Sequence, residues 1–303
     1  MMNMVETPVL YITFARPEYA SQSFAAIKAA KPKKLYFYSN KARDDKPDEV
    51  KRNLEIRSYI SQINWECEVI TWFREEYVDV YTSLWGAIDW LFDNEERGIV
   101  IEEDCKASRA FFDYVDKLLP KYECNQRVWL ISGDNFTPQY NPSNLDYFFS
   151  KNIHIYGWGS WRDRWKSMDR EMKDWPTIKN TVLKKYYANP IEYIWRKKLL
   201  NRVFCKMDKF YPWDFVFEYN VIVNNGLAVI PCINMVEDIG VSGVHHTVQL
   251  SMSNPVDFDK KEFPINKEPI AVEACSKYDF LHFFSHIMFP TIKRRLKKYV
   301  QFK

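Results

Sequence analysis

Gly98-Ile-Val-Ile-Glu-Glu-Asp-Cys105 is a short apolar run that stops at three consecutive carboxylates, Glu102, Glu103 and Asp104. A run bounded in this way reads as a buried parallel strand whose carboxyl end meets solvent. Ligands bind at that end of open α/β sheets. Clustered carboxylates repel one another and favour a cation, and their hard oxygens select magnesium, manganese or calcium over zinc. An ion held there could clamp a diphosphate. A solvated acidic strand end or a helix-capping cluster is the plainer alternative. Far along the chain, Trp213-Asp214 opens an apolar stretch that reads as a helix. A carboxylate there is an ordinary helix cap by residue pattern alone, or a general base. Glu218, one turn later, is the fallback base.

Strands alternating with helices must carry these groups. Val9 to Phe14 reads as a strand stopped by Arg16-Pro17, with a helix over Tyr19 to Ala30. Strands follow at Lys34 to Tyr38, Cys67 to Trp72, Gly98 to Ile101 and Val128 to Ser132. Helices fall between them at Pro47 to Ile63, Val80 to Phe92 and Arg109 to Tyr122. This alternation implies a mostly parallel α/β sheet with right-handed crossovers. The second half reads differently. Tyr156 to Trp165 is aromatic and basic around a glycine-containing turn, with Trp161 and Trp165 spaced one helical turn apart. Pro190 to Met207 reads as a basic amphipathic helix. The helix from Trp213 is closed by Asn225-Gly226 as a left-handed cap, and Ala228 to Pro231 is a short strand. The organisation expected is a nucleotide-binding part over 1–135, an acceptor and catalytic part of the same domain over 136–250, and an extension over 251–303.

Composition narrows the class. The 303 residues are 47% hydrophobic and 27% charged, ordinary for a globular protein. A net charge of +3 gives no case for a nucleic-acid partner. The outlier is the 17% aromatic content, which suits sugar rings but also simply fills cores. Six cysteines show neither C-x-x-C pairs nor zinc-finger spacing. No apolar run reaches the roughly 18 residues needed to span a bilayer, and a cytoplasmic location is expected.

In order, the chain carries Pro8 to Phe14 with Arg16-Pro17, Ile101-Glu-Glu-Asp-Cys105, Ile131-Ser-Gly133, Gly157-Trp158, Trp161 and Trp213-Asp214. Asn224-Asn-Gly226, Pro231, Asp238-Ile-Gly240 and His246-Thr247 follow. This series resembles the GT-A fold glycosyltransferases, closest to bacterial nucleotide-sugar transferases related to N-acetylglucosaminyltransferase I, over roughly residues 8–247. The resemblance implies a Rossmann-like sheet flanked by helices with an acceptor-side subdomain. It implies inverting, manganese- or magnesium-assisted sugar transfer from a nucleotide donor such as UDP-GlcNAc to a glycan or lipid-linked acceptor hydroxyl, in polysaccharide or glycoconjugate synthesis. Matched residue by residue, Asp104 is the metal ligand, Glu102 and Glu103 sit with the donor, and Arg16 and Asn40 lie by the base. Asp214 becomes the catalytic base, a preference that the residue pattern alone does not give.

Three further expectations come from single residues. Trp158 and Trp161 could form an acceptor platform, or pack the subdomain onto the sheet. His245 and His246 could reach phosphate or acceptor. Phe280 to Lys303 joins an aromatic cluster to Lys293, Arg294, Arg295, Lys297 and Lys298, a peripheral contact for an anionic membrane or a solvated charge run. Two other functions compete with sugar transfer. One is a sugar nucleotidyltransferase, which usually carries a Gly-rich basic loop after the first strand, unlike Phe14-Ala-Arg-Pro17. The other is a non-catalytic carbohydrate-binding protein.

Overall fold

Alternating side chains of the first strands go to two different cores. The computed structural model describes residues 4–207, 212–240, 255–293 and 296. It opens with β1 (Val9–Thr13), α1 (Pro17–Ala30), β2 (Lys34–Ser39), α2 (Pro47–Arg57), β3 (Glu68–Phe73), α3 (Val80–Asn94) and β4 (Arg97–Glu102). Val9, Tyr11, Leu35, Phe37, Ile99 and Ile101 pack on one side with α1 and the later helix Arg109–Tyr122. Leu10, Ile12, Tyr36, Tyr38 and Val100 pack on the other with α3 and the later helix Trp213–Val223. A period of two with both faces covered is what a parallel strand requires, and it explains why these segments read as unbroken apolar runs.

The chain continues through β5 (Cys105–Ala107), α4 (Arg109–Tyr122), β6 (Val128–Ser132), β7 (Tyr147–Ser150), β8 (Trp158–Trp161), α5 (Arg162–Lys166), α6 (Trp175–Tyr186) and α7 (Pro190–Phe204). It ends with α8 (Trp213–Val223), β9 (Leu227–Pro231), β10 (Val236–Asp238) and α9 (Ser276–His282). One sheet holds eight strands in the order β3-β2-β1-β4-β8-β6-β9-β7. The structure is therefore α/β, a large mostly parallel sheet flanked by helices. Only β7 and β8 run against the rest. Strands from 1–135 and from the following part share this sheet, so no break in the sheet marks that boundary.

The Trp158 to Trp161 segment departs most from the sequence reading. It is a central antiparallel strand, wedged between β4 and β6, and the helix starts only at Arg162. Trp161 and Trp165 therefore do not share a helix face. Trp161 joins the α1/α4 core and Trp165 the opposite one. Two glycines make the wedge possible. Gly157 has φ +75°, a conformation that side chains disfavour. A Cβ on Gly159 would sit 2.5 Å from Val115 of α4, so the helix lies directly on this strand. The left-handed residue after α8 is Asn225, φ 50°; Gly226 instead is needed small, since a Cβ there would meet the Trp129 ring at 2.5 Å.

A third core lies between α6, α7 and α8, around Trp175, Leu183, Leu200 and Tyr219. The later chain returns to the sheet: Ala110 N–H donates to Lys260 O, and Ala274 bridges to Phe149.

Candidate functional site

Register places the functional ends together. Ile12 pairs with Glu102 and Thr13 with Ser39, so β1, β2 and β4 finish side by side. The three carboxylates after β4 then divide their work. Glu103 turns inward and is buried. One of its oxygens accepts the Phe14 N–H at 2.7 Å and the other binds Arg16 Nε at 2.6 Å. Arg16 also reaches Asp104, 2.9 Å away. Glu103 thus clasps the loop after β1. This is a correction to its expected donor contact, because the inward-facing carboxylate is already used. Arg16 does stand at the strand end as expected, tied to two carboxylates.

Glu102 keeps part of its surface open. Its carboxyl is pushed up to about 8, first by burial and then by the charge of Asp104, with Asp214 and Asp238 adding and Arg16 opposing. Asp214, in the first turn of α8, is raised to about 6 by burial, against backbone hydrogen bonding at Phe215. The charge of Asp214 thus reaches a carboxyl about a hundred residues earlier in the chain. Tyr81 of α3 stands close to Asp214, and burial and that charge raise its phenol.

Asp238 completes the group, and the sequence reading gave it no role although Asp238-Ile-Gly240 was part of the resemblance. β10 pairs with β5, setting Asp238 opposite Cys105. Ile239 N–H then donates to Asp104 O at 2.9 Å. Asp134, just past β6, was also passed over. It is buried, takes the Ser132 hydroxyl at 2.6 Å, and is raised to about 8 chiefly by burial. Nothing in local spacing marks either residue, since each arrives through a strand pairing or a strand end.

Other expected site residues lie elsewhere. Trp158 and Trp161 are each 1% exposed. Trp158 stacks on Trp213, centroids 5.5 Å apart, and the Trp161 indole donates to Leu119 O. Rings buried in the sheet offer no acceptor platform, so that expectation is corrected to packing. Asn40 does follow β2, but it is buried, donating to Val78 O at 2.8 Å and accepting the Lys41 N–H. Its amide shapes the loop rather than facing a base. Glu218 is paired with the buried Arg196, which removes it as fallback base. His245 and His246 lie outside the described residues, as do Arg294, Arg295, Lys297 and Lys298.

A divalent ion can be tested against this donor set. Among the described residues no three His, Cys, Asp or Glu side chains are grouped to cage a metal. Manganese and magnesium need less when a diphosphate and water complete the shell. Asp104 and Glu102 are the two partly exposed carboxylates at this strand end that could supply that lesser set. A hollow between α1 and α2, lined by Pro17, Glu18, Asp48, Lys51 and Tyr59, is a separate surface feature.

No family model and no curated protein matches the chain. Similar solved structures include HddC from Yersinia pseudotuberculosis, at 10% identity and TM-score 0.32 over 54% of this chain and 80% of that one. The UTP-bound UGPase of Acinetobacter baumannii aligns at 10% identity and TM-score 0.31, over 55% and 78%. The 4-diphosphocytidyl-2C-methyl-D-erythritolsynthase of Anaerococcus prevotii aligns at 8% identity and TM-score 0.28, over 53% and 74%. At this degree of superposition the likeness carries no argument for a reaction, and the α/β architecture stands on its own strand order.

Proposed function

We propose that the chain is a glycosyltransferase that moves a sugar from a nucleotide diphosphate to an acceptor hydroxyl with inversion. The observation that carries the reading is the convergence of Asp214 on the acidic end of β4, where its charge acts on Glu102. Transfer needs a base on one side of the anomeric carbon and charge neutralisation on the other. Asp214 would take the acceptor hydroxyl proton while the oxygen forms its bond to the anomeric carbon. The bond from that carbon to the phosphate oxygen breaks, and its electron pair leaves with the nucleoside diphosphate. A manganese or magnesium ion held by Asp104 and Glu102 would neutralise that leaving group as a Lewis acid. Holding the two reactants in line is the remaining contribution of the protein.

Nucleotidyl transfer is the second reading. Against it, Arg16 is the one cation of the Phe14–Pro17 loop and is engaged by Glu103 and Asp104. Incubation with manganese and a panel of UDP-sugars, and separately with UTP and sugar phosphates, separates the readings. Slow release of nucleoside diphosphate supports sugar transfer, and pyrophosphate release replaces it with nucleotidyl transfer. Sugar binding with neither product leaves a carbohydrate-binding protein.

A further inference from the structure

Outward aromatic and aliphatic side chains lie on two helices away from the acidic site. The helix that begins as α9 continues to residue 293, widening into a π turn over Phe283–Met288 just before Pro290. Its outer face carries a continuous ring stripe: Phe280 to Phe284 at 4.8 Å, then Phe284 to Phe289 at 5.8 Å. Phe280 is 50% and Phe289 57% exposed. This helix lies against α7, where Trp195 meets Phe283 edge to face at 6.2 Å. α7 adds Ile191 and Ile194, 49% and 50% exposed and one turn apart. Single exposed apolar residues are ordinary, but neighbouring ones on two touching helices are not.

Charge sorts by direction on both helices. The acids, Glu192 on α7 and Asp279 on α9, are buried. Asp279 accepts from Ser150 and Asn152 inside the fold. The exposed charges are Lys198, Arg202, Lys277 and Lys293, all positive, and the sequence adds five more cations beyond Lys293. An apolar stripe on helices whose exposed charges, among the described residues, are all basic complements the boundary between acyl chains and anionic headgroups. A protein partner would have to be acidic and apolar over two helices at once, whereas an anionic bilayer presents both everywhere.

We propose that α7 and the helix from Ser276 to Lys293 dock this protein on an anionic membrane surface. Among the described residues no helix is long and apolar enough to cross a membrane, so the contact is peripheral. It is independent of the reaction proposed for the acidic site.

Flotation of the full chain with vesicles tests this. It should rise with phosphatidylglycerol-containing vesicles at low salt, stay down with pure phosphatidylcholine, and release several-fold as salt is added. Phe280→Ser with Phe289→Ser should weaken binding at least about tenfold. Lys198→Gln and Lys293→Gln should each cost roughly fivefold. Leu54→Ser, at an exposed residue of α2, should bind as wild type. Melting curves matching wild type show that the variants remain folded. Absence of flotation on anionic vesicles overturns the proposal, as does equal flotation on both lipids or an unchanged double-Phe variant. A dimer in sedimentation that the double-Phe variant disperses, without flotation, assigns the patch to a second copy of the chain instead.

Discussion

Arg16 stands 2.6 Å from Glu103 and 2.9 Å from Asp104, so one guanidinium joins the loop after β1 to the acidic end of β4. Glu103 also holds the Phe14 amide, and it is the buried member of the pair. Glu103→Ala should destabilise the fold by about 1–3 kcal/mol, since a buried amide and a guanidinium both lose their acceptor. The cost stays below that of a fully buried ion pair because Arg16 is partly solvated. Glu103→Gln, which can still accept from Phe14, should lose less. Urea unfolding midpoints check this, and an unchanged midpoint for the alanine variant would remove the clasp from the account.

Asp214 should give the reaction its pH dependence. Burial lifts its carboxyl to about 6, and a base works only when ionised. Activity in kcat/KM should therefore rise with pH through about 6 and level off above it. Asp214→Asn should bind donor as wild type yet transfer sugar roughly two to four orders of magnitude more slowly. A flat profile for wild type between about pH 5 and 8, or normal turnover by the variant, would take Asp214 out of the mechanism.

Much of the first half was legible because β1, β2, β4 and β6 are buried on both faces and each crossover helix carries its own start signal. Pro17 and Pro47 open helices, and Ser108 caps one by accepting from Phe111 N–H. Local chemistry and tertiary structure agree there. In the second half they part. Trp158-Gly159-Ser160-Trp161 shows neither alternation nor a long apolar run, and its strand state comes from neighbours on both sides. The candidate site divides in the same way. The acidic cluster after β4 could be placed from sequence, because a strand end is a local event. Which carboxylate faces inward could not, because Arg16 decides it from 87 residues away. Asp238 depends on the pairing of β10 with β5, and a short ribbon leaves no periodic trace.

Gly157 links the wedge strand to the site. Its φ is +75°, and an added Cβ would lie 2.9 Å from Val236, the residue that opens β10. Gly157→Ala should therefore cost about 1–3 kcal/mol from backbone strain and crowding together. The displaced ribbon carries Asp238, so metal-dependent donor binding should weaken as well. Asp104→Ala should lose that binding without the same loss of stability. Thermal unfolding and calorimetric titration of UDP-sugar with manganese distinguish the two variants. Equal stability of Gly157→Ala and wild type would show that the ribbon adjusts without cost.

His154 and His282 approach Nε2 to Nε2 at 3.4 Å, and His286 stacks on Phe136 at 4.6 Å. Burial is the main reason that all three resist protonation: His154 falls to about 3, His286 to about 4, and His282 lies well below its ordinary range. In the unfolded chain a histidine binds its proton near pH ~6.5. Between that value and the folded ones, the unfolded state takes up more protons. The cluster's contribution is thus complete above about pH 6.5 and is lost as pH falls toward 4 and below. Asp134 and Asp214 are raised by burial and act with the opposite sign over part of this range, so the informative quantity is a difference between variants. His286→Phe keeps a ring against Phe136 and removes one titrating group. Relative to wild type, its melting temperature should climb as pH is lowered from about 6.5 to 4. Parallel melting curves across that range would show that His286 does not titrate with folding.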